Sequence, residues 1–430
     1  MSELPMRDLE TQHDQILEWV GNYQRQLMQA PPQQPFELMR TLFEPEDLQA
    51  AVAVLLSGQV SMGQRVAEFE QAWSHWNQSA GSLMVNSGSS ANLLALSAFA
   101  SQQTQPALKP GDEVIVPAVC WSTSVFPVVQ MGAIPVFVDC DPVTLNLSLE
   151  QVEAAITPQT RALVAVHVLG NPCPMPELMA LARKHDLWVL EDCCEAHGAT
   201  IEGVKVGNFG DLSSFSFFLS HHMTTIEGGM VCMRKPQDWQ DLLISQRAHG
   251  WIRGRSDQQD WIERFPELTG GWLFVETGYN LRPTEMHAAI GLSQLGRLDA
   301  FILRRQNILA ILQAHILNRW GDWLAVQQAL PGHASSAFGL AILVKPGAPF
   351  ERKDLQRALQ SAQIFTRPLI TGNFLRQPVV HKFAFRQGQS AMPGADYVHD
   401  RGFMVGIHHD LTDSALAYFQ DTLDQFLGKF

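Results

Sequence analysis

Between Ser82 and Phe217 the chain alternates short apolar runs with helical text, and that alternation restricts its fold more than any other feature. Ser82-Leu83-Met84-Val85-Asn86 reads as a strand. Ser87-Gly88-Ser89-Ser90 follows it, then a helical run from Ala91 to Ala100. A Gly111-Asp112 turn precedes a strand over 113–116, and 134–138 is another. Ser148 is placed to cap a helix beginning at Leu149. Strands over 162–168, 187–191 and 212–217 complete the series, with a helix between the first two. Strands separated by helices predict a mainly parallel sheet covered on both faces, because parallel neighbours need a crossover between them. Ligands of such sheets lie beyond the carboxyl ends of the strands, which is where the polar motifs of this chain fall.

A chain of 430 residues exceeds one ordinary domain. The reading adopted is a helical extension over 1–40, a large domain over 41–298 and a smaller C-terminal domain over 299–430. In the extension Ile16, Trp19, Val20 and Tyr23 recur at helical spacing and Pro31-Pro32 ends the segment. From Glu44 to Trp76 the text reads helix, a Gly58/Gly63 turn, then helix. A net charge of −13 argues against nucleic acid or an anionic membrane as partner. It leaves room for a phosphorylated small molecule held by a few local cations. No apolar run reaches the roughly 18 residues that span a bilayer, and no signal-peptide pattern opens the chain, so a cytoplasmic protein is expected. Six cysteines without a CxxC pair read as reduced, buried thiols with no metal role.

Four stretches carry candidate chemistry. Ser87-Gly88-Ser89-Ser90, between strand and helix, is by spacing alone either a phosphate cradle or an ordinary capped helix. Trp121, just after a strand, is either core or a face for stacking on a planar ring. Asp192, in Leu190-Glu191-Asp192-Cys193-Cys194-Glu195, is a carboxylate at a buried strand end and needs a cation or donors there. Ser216-Phe217-Phe218-Leu219-Ser220-His221-His222 delivers two histidines into a polar turn, and Glu227-Gly228-Gly229-Met230 leads through a Gly-Gly hairpin into another strand.

These stretches together resemble the sugar aminotransferase family (the DegT/DnrJ/EryC1/StrS group), vitamin B6 enzymes of aspartate-aminotransferase fold, fold type I. The similarity runs over roughly residues 40–430. It implies an α/β fold with a seven-stranded, mainly parallel sheet, helices on both faces and a smaller C-terminal α/β domain. It assigns Gly88, Ser89 and Ser216 to the phosphate of pyridoxal phosphate, Trp121 to its ring face, Asp192 to its ring nitrogen and Glu195 to its ring hydroxyl. Asn280, in Gly278-Tyr279-Asn280-Leu281-Arg282, would reach the cofactor phosphate of a neighbouring subunit, which implies a homodimer with shared sites. His249, Arg253 and Arg282 would serve the substrate side, the two arginines gripping carboxylates of the amino donor. Arg367, in the segment Thr366 to Phe374, would face the sugar nucleotide.

Where the family pattern has its Schiff-base lysine, this chain has His221. That departure resembles the lysine-lacking branch, the sugar 3-dehydratases of O-antigen and dideoxysugar biosynthesis that act on GDP-4-keto-6-deoxymannose. Imidazole makes no lasting bond to the cofactor aldehyde but transfers protons near neutrality. The resemblance therefore implies a cofactor held without a covalent tether and used as pyridoxamine phosphate. L-Glutamate would recharge it, His221 would act as base, and the C3 hydroxyl of the sugar would leave. A relative bearing an iron–sulfur cluster is not expected, since no cysteine follows Cys232. Two alternatives stay open at this point: a sugar aminotransferase working without lysine, and a noncatalytic binding protein of the same fold.

Overall fold

The computed structural model describes residues 6–30, 34–37, 43–389 and 391–430, so the expected helix stop at Pro31-Pro32 lies outside the described residues. Helix α1 (Met6–Met28) packs on α2 (Pro45–Ser57), and α3 (Gln64–Asn77) leads into the main sheet. In chain order there follow β1 (Gly81–Val85), α4 (Gly88–Phe99), β2 (Glu113–Pro117), α5 (Ser122–Gln130), β3 (Ile134–Val138), α6 (Leu149–Ala155) and β4 (Thr160–Val166). Next come α7 (Met175–His185), β5 (Trp188–Asp192), the short pair β6 (Thr200–Ile201) and β7 (Val204–Lys205), β8 (Leu212–Ser216) and β9 (Gly229–Met233). Helices α8 (Pro236–Arg247), α9 (Gln258–Arg264), α10 (Glu285–Leu295) and the long α11 (Leu298–Trp320) connect to the C-terminal part. That part holds β10 (Leu324–Val326), β11 (His333–Ala334), β12 (Gly339–Val344), α12 (Arg352–Ser361), β13 (Thr366–Arg367), β14 (Arg386–Gln387), α13 (Pro393–Arg401), β15 (Gly402–Gly406) and α14 (Asp413–Leu427).

The main sheet has the order β1-β9-β8-β5-β4-β2-β3-β14. All neighbours from β8 to β14 run parallel and only β9 is antiparallel to its two flanking strands. Strands such as β2 and β9 are buried along their whole length, which explains their unbroken apolar text: helices cover both faces. The sheet has eight strands where the sequence suggested seven. The extra one, β14, comes from the C-terminal part and is only two residues long, too short for periodicity to reveal. It is fastened by Arg386, whose guanidinium meets both oxygens of Glu113 at 2.6 and 2.8 Å.

A second sheet, β10-β12-β15-β13, is antiparallel throughout and shares a core with α11, α12 and α14. The link between β8 and β9 is not a tight hairpin but a loop from Phe217 to Gly228 that carries both histidines. Helix α1 forms as its spacing predicts, yet Trp19 and Tyr23 remain exposed while Gly21 and Gln24 face the body. Gln49 donates to the carbonyl of Leu17 across that contact at 2.8 Å.

Behind the histidine loop stands Trp73 of α3, fully buried, with its ring edge-on to Phe215 and Phe217 at 5.1 and 4.9 Å and to His197 at 5.6 Å. Its indole N–H points at the sulfur of Cys232, 3.3 Å away. We expect Trp73→Ala to lower the unfolding free energy by about 3–5 kcal/mol, measured by urea denaturation, since the site is walled by sheet and helix and cannot collapse.

Candidate active site

The carboxyl ends of β1, β2, β4, β5 and β8 open into one cavity of about 380 Å³. Gly88, Ser89, Trp121, Asp192, Glu195, Ser216 and His221, all singled out in the sequence, line it together.

One end is built for an anion. Ser87 caps α4 by accepting from the N–H of Ser90 at 3.0 Å, which leaves the first amides of the helix directed outward with the positive end of its dipole. Gly88 is required sterically: a Cβ there would lie 2.4 Å from Cβ of Ser216 and 3.0 Å from Sγ of Cys194. Ser89 and Thr123 join hydroxyls at 3.0 Å along the same rim.

The floor carries charge that its surroundings do not neutralise. Asp192 is 5% exposed; Oδ2 accepts from Asn92 Nδ2 at 2.8 Å and from Ser124 Oγ at 2.7 Å, and Oδ1 from the N–H of Cys194 at 3.2 Å. All three donors are neutral, so the carboxylate suits a cationic ring nitrogen presented from the cavity. Glu195 accepts from the N–H of Leu169 at 2.9 Å. Burial, followed by the Asp192 charge, pushes its carboxyl up to about 7 against the opposing pull of that amide. The anion cradle, the uncompensated carboxylate and the exposed Trp121 ring at the mouth fit a phosphorylated pyridine cofactor.

The wall opposite is imidazole. His221 packs against Phe338 (ring centroids 5.3 Å), its Nδ1 is enclosed without a hydrogen-bond partner, and the residue lines the cavity. Burial, then the nearby Arg305 guanidinium, pushes its pKa down to about 3. His222 turns away and its Nε2 meets the carbonyl of Ser336 at 2.9 Å. Burial likewise holds His197 and His222 well below the usual imidazole range. Among the described residues that line the cavity there is no lysine; Lys205 instead sits over the ring of Trp76 at 3.7 Å.

Five expected residues lie elsewhere. Asn280 and Arg253 are exposed, His249 and Arg282 half-buried, and they cluster around Trp251. Arg253 lies over Trp251 and Trp272 at 4.8 and 5.4 Å, Arg282 over Trp251 at 5.8 Å, and the His249 ring lies 4.8 Å from that of Trp251. Arg282 donates to Asn280 Oδ1 at 2.9 Å. Gly250 makes the turn possible: at φ +82° a Cβ would fall 1.8 Å from the carbonyl of Glu276. Arg367 is exposed on β13, an edge strand of the second sheet, whereas Ile370 of the same segment lines the cavity. Sequence reasoning missed Asn92 and Ser124, the side chains that orient Asp192. An asparagine inside the apolar text of α4 was the available signal. Phe338 gave none, since it reads as one more core aromatic.

The DegT/DnrJ/EryC1/StrS aminotransferase family model matches residues 42–424. A GDP-4-keto-6-deoxy-D-mannose 3-dehydratase of Yersinia pseudotuberculosis is 37% identical over 88% of this chain and 95% of its own. A dTDP-4-dehydro-2,6-dideoxy-D-glucose 3-dehydratase of Saccharopolyspora spinosa is 34% identical over 97% and 92%. Among solved structures, a GDP-4-keto-6-deoxymannose-3-dehydratase with a trapped PLP-glutamate geminal diamine superimposes with a TM-score of 0.82 at 34% identity, covering 90% of this chain and all of that one.

Proton linkage gives the site a stability signature. A histidine whose pKa is depressed by folding stays neutral while the unfolded chain takes up its proton near pH 6.5, so its contribution is lost as pH falls through that range. His197, His221 and His222 each remove up to about 1.4 kcal/mol per pH unit below pH ~6.5. Glu195, raised, has the opposite sign: its contribution is complete below its unfolded value of 4.5 and is lost on rising towards about 7, offsetting one histidine. Urea midpoints of cofactor-free protein should therefore fall between pH 7 and 5.5, and more steeply in Glu195→Gln.

Proposed function

The chain belongs to the DegT/DnrJ/EryC1/StrS aminotransferase family, and from that premise we propose that it is a nucleotide-sugar 3-dehydratase dependent on pyridoxal and pyridoxamine phosphate. Its substrate is a nucleotide-linked 4-keto-6-deoxyhexose, GDP-4-keto-6-deoxymannose in the reading favoured by its relatives, and L-glutamate is the amino donor. The observation that carries this reading is His221. A neutral imidazole stands in the loop after β8, in a cavity whose described lining has an anion cradle, a buried carboxylate and an exposed indole but no lysine.

Bound there, the cofactor supplies an electron sink and an exchangeable amino group. Gly88 and Ser89 offer amide donors to its phosphate, with Ser216 closing the cradle. Asp192, fixed by Asn92 and Ser124, keeps the ring nitrogen protonated. Trp121 would cover a ring face, and Glu195, its carboxyl raised to about 7 by burial, would face the ring hydroxyl. His221 enters neutral, so Nε2 acts first as an acceptor and then returns its proton, while the apolar Phe338 wall limits water. The Trp251 cluster supports a shared site in a homodimer: Trp272 and Phe274 beside it are 62% and 52% exposed, and Asn280 and Arg253 project from the same face. No described helix is long and apolar enough to cross a membrane, in keeping with a cytoplasmic enzyme acting on a soluble nucleotide sugar.

Purified protein incubated with pyridoxal phosphate, glutamate and GDP-4-keto-6-deoxymannose should release a sugar that has lost its C3 oxygen and kept its C4 carbonyl. An aminated product that retains the C3 oxygen would replace this reading with an aminotransferase. His221→Asn should bind the cofactor, seen by its absorbance, while deoxygenation falls by roughly 100-fold or more, the contribution of a positioned base. His221→Lys should yield a cofactor adduct that survives borohydride reduction and mass analysis, with no deoxygenated sugar.

A further inference from the structure

The turn that carries His221 is pinned at its two ends, and His222 beside it is tied to the carbonyl of Ser336 at 2.9 Å. Thr225 N–H donates to the carbonyl of Phe217 at 3.0 Å, and the N–H of Thr224 to Oε1 of Gln294 at 2.9 Å. His221 N–H closes a tight turn on the carbonyl of Phe218 at 3.0 Å. The Nδ1 of the His221 ring is enclosed without a partner, and the residue lines the cavity. No hydrogen bond at Nδ1 aims the ring, and its direction follows from where the backbone of residue 221 is held.

Arg305 holds it. This arginine lies on α11, is 3% exposed, and spreads its fork between two chain segments. Nη2 donates to the carbonyl of His221 at 3.3 Å, and Nη1 donates to the carbonyl of Ile407, just beyond β15 of the second sheet. We propose that Arg305 is the positioning residue for His221, tying the base-bearing turn to the second sheet and so fixing where the imidazole enters the cavity. A guanidinium is suited to this because it is planar and reaches two acceptors at once, which an ammonium on a flexible stem does not.

A second observation points the same way. Arg305 remains charged although buried, its pKa lowered to about 10 by burial and supported by Asp410. The titratable groups around His221 are Arg305 from α11, His197 after β5, His222 beside it, Glu227 of the same loop, and His167, Asp192, Cys194 and Glu195 lining the cavity. Of these only Arg305 is a permanent cation. It disfavours a second positive charge on the ring, so the group that places the base also helps to keep it neutral.

The proposal rests on the dehydratase reading for what His221 does, not for where it sits, and the experiment separates the two. Arg305→Gln and Arg305→Lys are compared with the wild type in three ways: kcat and KM for deoxygenation, pyridoxal phosphate affinity from the absorbance titration, and the pH titration of the His221 ring. The ring is followed by NMR in cofactor-free protein labelled with ¹⁵N-histidine and assigned with His221→Asn. In Arg305→Gln, kcat should fall roughly 10- to 100-fold, the effect of a misplaced reacting group, with KM near the wild-type value. The His221 ring should take up its proton at a higher pH than in the wild type. Arg305→Lys should restore the wild-type titration but not kcat, because it returns the charge without the fork. A wild-type kcat in Arg305→Gln, or an unmoved His221 titration, overturns the proposal. If Arg305→Gln does not fold, Arg305→Lys decides alone, and an unchanged kcat there overturns it. Should the wild-type protein give no deoxygenated sugar, the dehydratase reading fails, and the histidine titration still decides on Arg305.

Discussion

A carboxylate buried at the end of β5 has only neutral donors around it, and the cavity is arranged about that imbalance. Asp192 accepts three hydrogen bonds, and all three donors are neutral. Such a group is expensive in an apolar interior unless something cationic completes it. The helix dipole at α4 makes the complementary demand, for an anion, at the other end of the same cavity. One ligand that is anionic at one end and cationic at a planar ring satisfies both. The parallel sheet is what makes this possible, since it brings the ends of β1, β5 and β8 to one edge although Val85 and Ser216 lie 131 positions apart in the chain.

The second sheet contributes walls rather than ligands. Phe338 precedes β12 and packs on His221, the carbonyl of Ser336 engages His222, and the backbone of Ile407 meets the guanidinium of Arg305. The segment after β13 crosses back to the main sheet, where the hydroxyl of Thr371 donates to the carbonyl of Cys120 at 2.8 Å and the N–H of Phe374 to that of Ala118 at 2.8 Å. With β14 inserted beside β3, the C-terminal part is bound to the main sheet at several points along its length. The His221 ring is thus set by contacts from both sheets.

Much of this was legible in the sequence because it is local. Strand and helix text alternate with the right periods, Ser87 and Ser148 cap as their positions suggest, and glycine at 88 marks a close backbone approach. What was not legible is the product of long-range packing. The two-residue β14 has no periodicity of its own. The exposed face of α1 carries Trp19 and Tyr23, and spacing alone does not tell which face of the helix meets the body. Arg305 reads in sequence as one of two adjacent arginines on an amphipathic helix. Its neighbour Arg304 does face outward, to Asp413 at 3.0 Å, and only the fold separates their roles.

Replacing lysine by histidine changes more than the ability to form a covalent link. A lysine in this turn would bring a second strong cation close to Arg305 within a poorly hydrated wall, where like charges repel at short range. Imidazole avoids that conflict by staying neutral, and its depressed pKa reflects the burial and the adjacent guanidinium that would oppose an ammonium. The same surroundings leave Asp192 as the carboxylate that needs a cation and the α4 terminus as the site that needs an anion. In the proposed enzyme, retention of an untethered cofactor would depend on those two ends and on stacking by Trp121. A noncovalent site of this kind would leave the cofactor free to pass between aldehyde and amine forms, which a reaction that consumes the amine at each turnover requires.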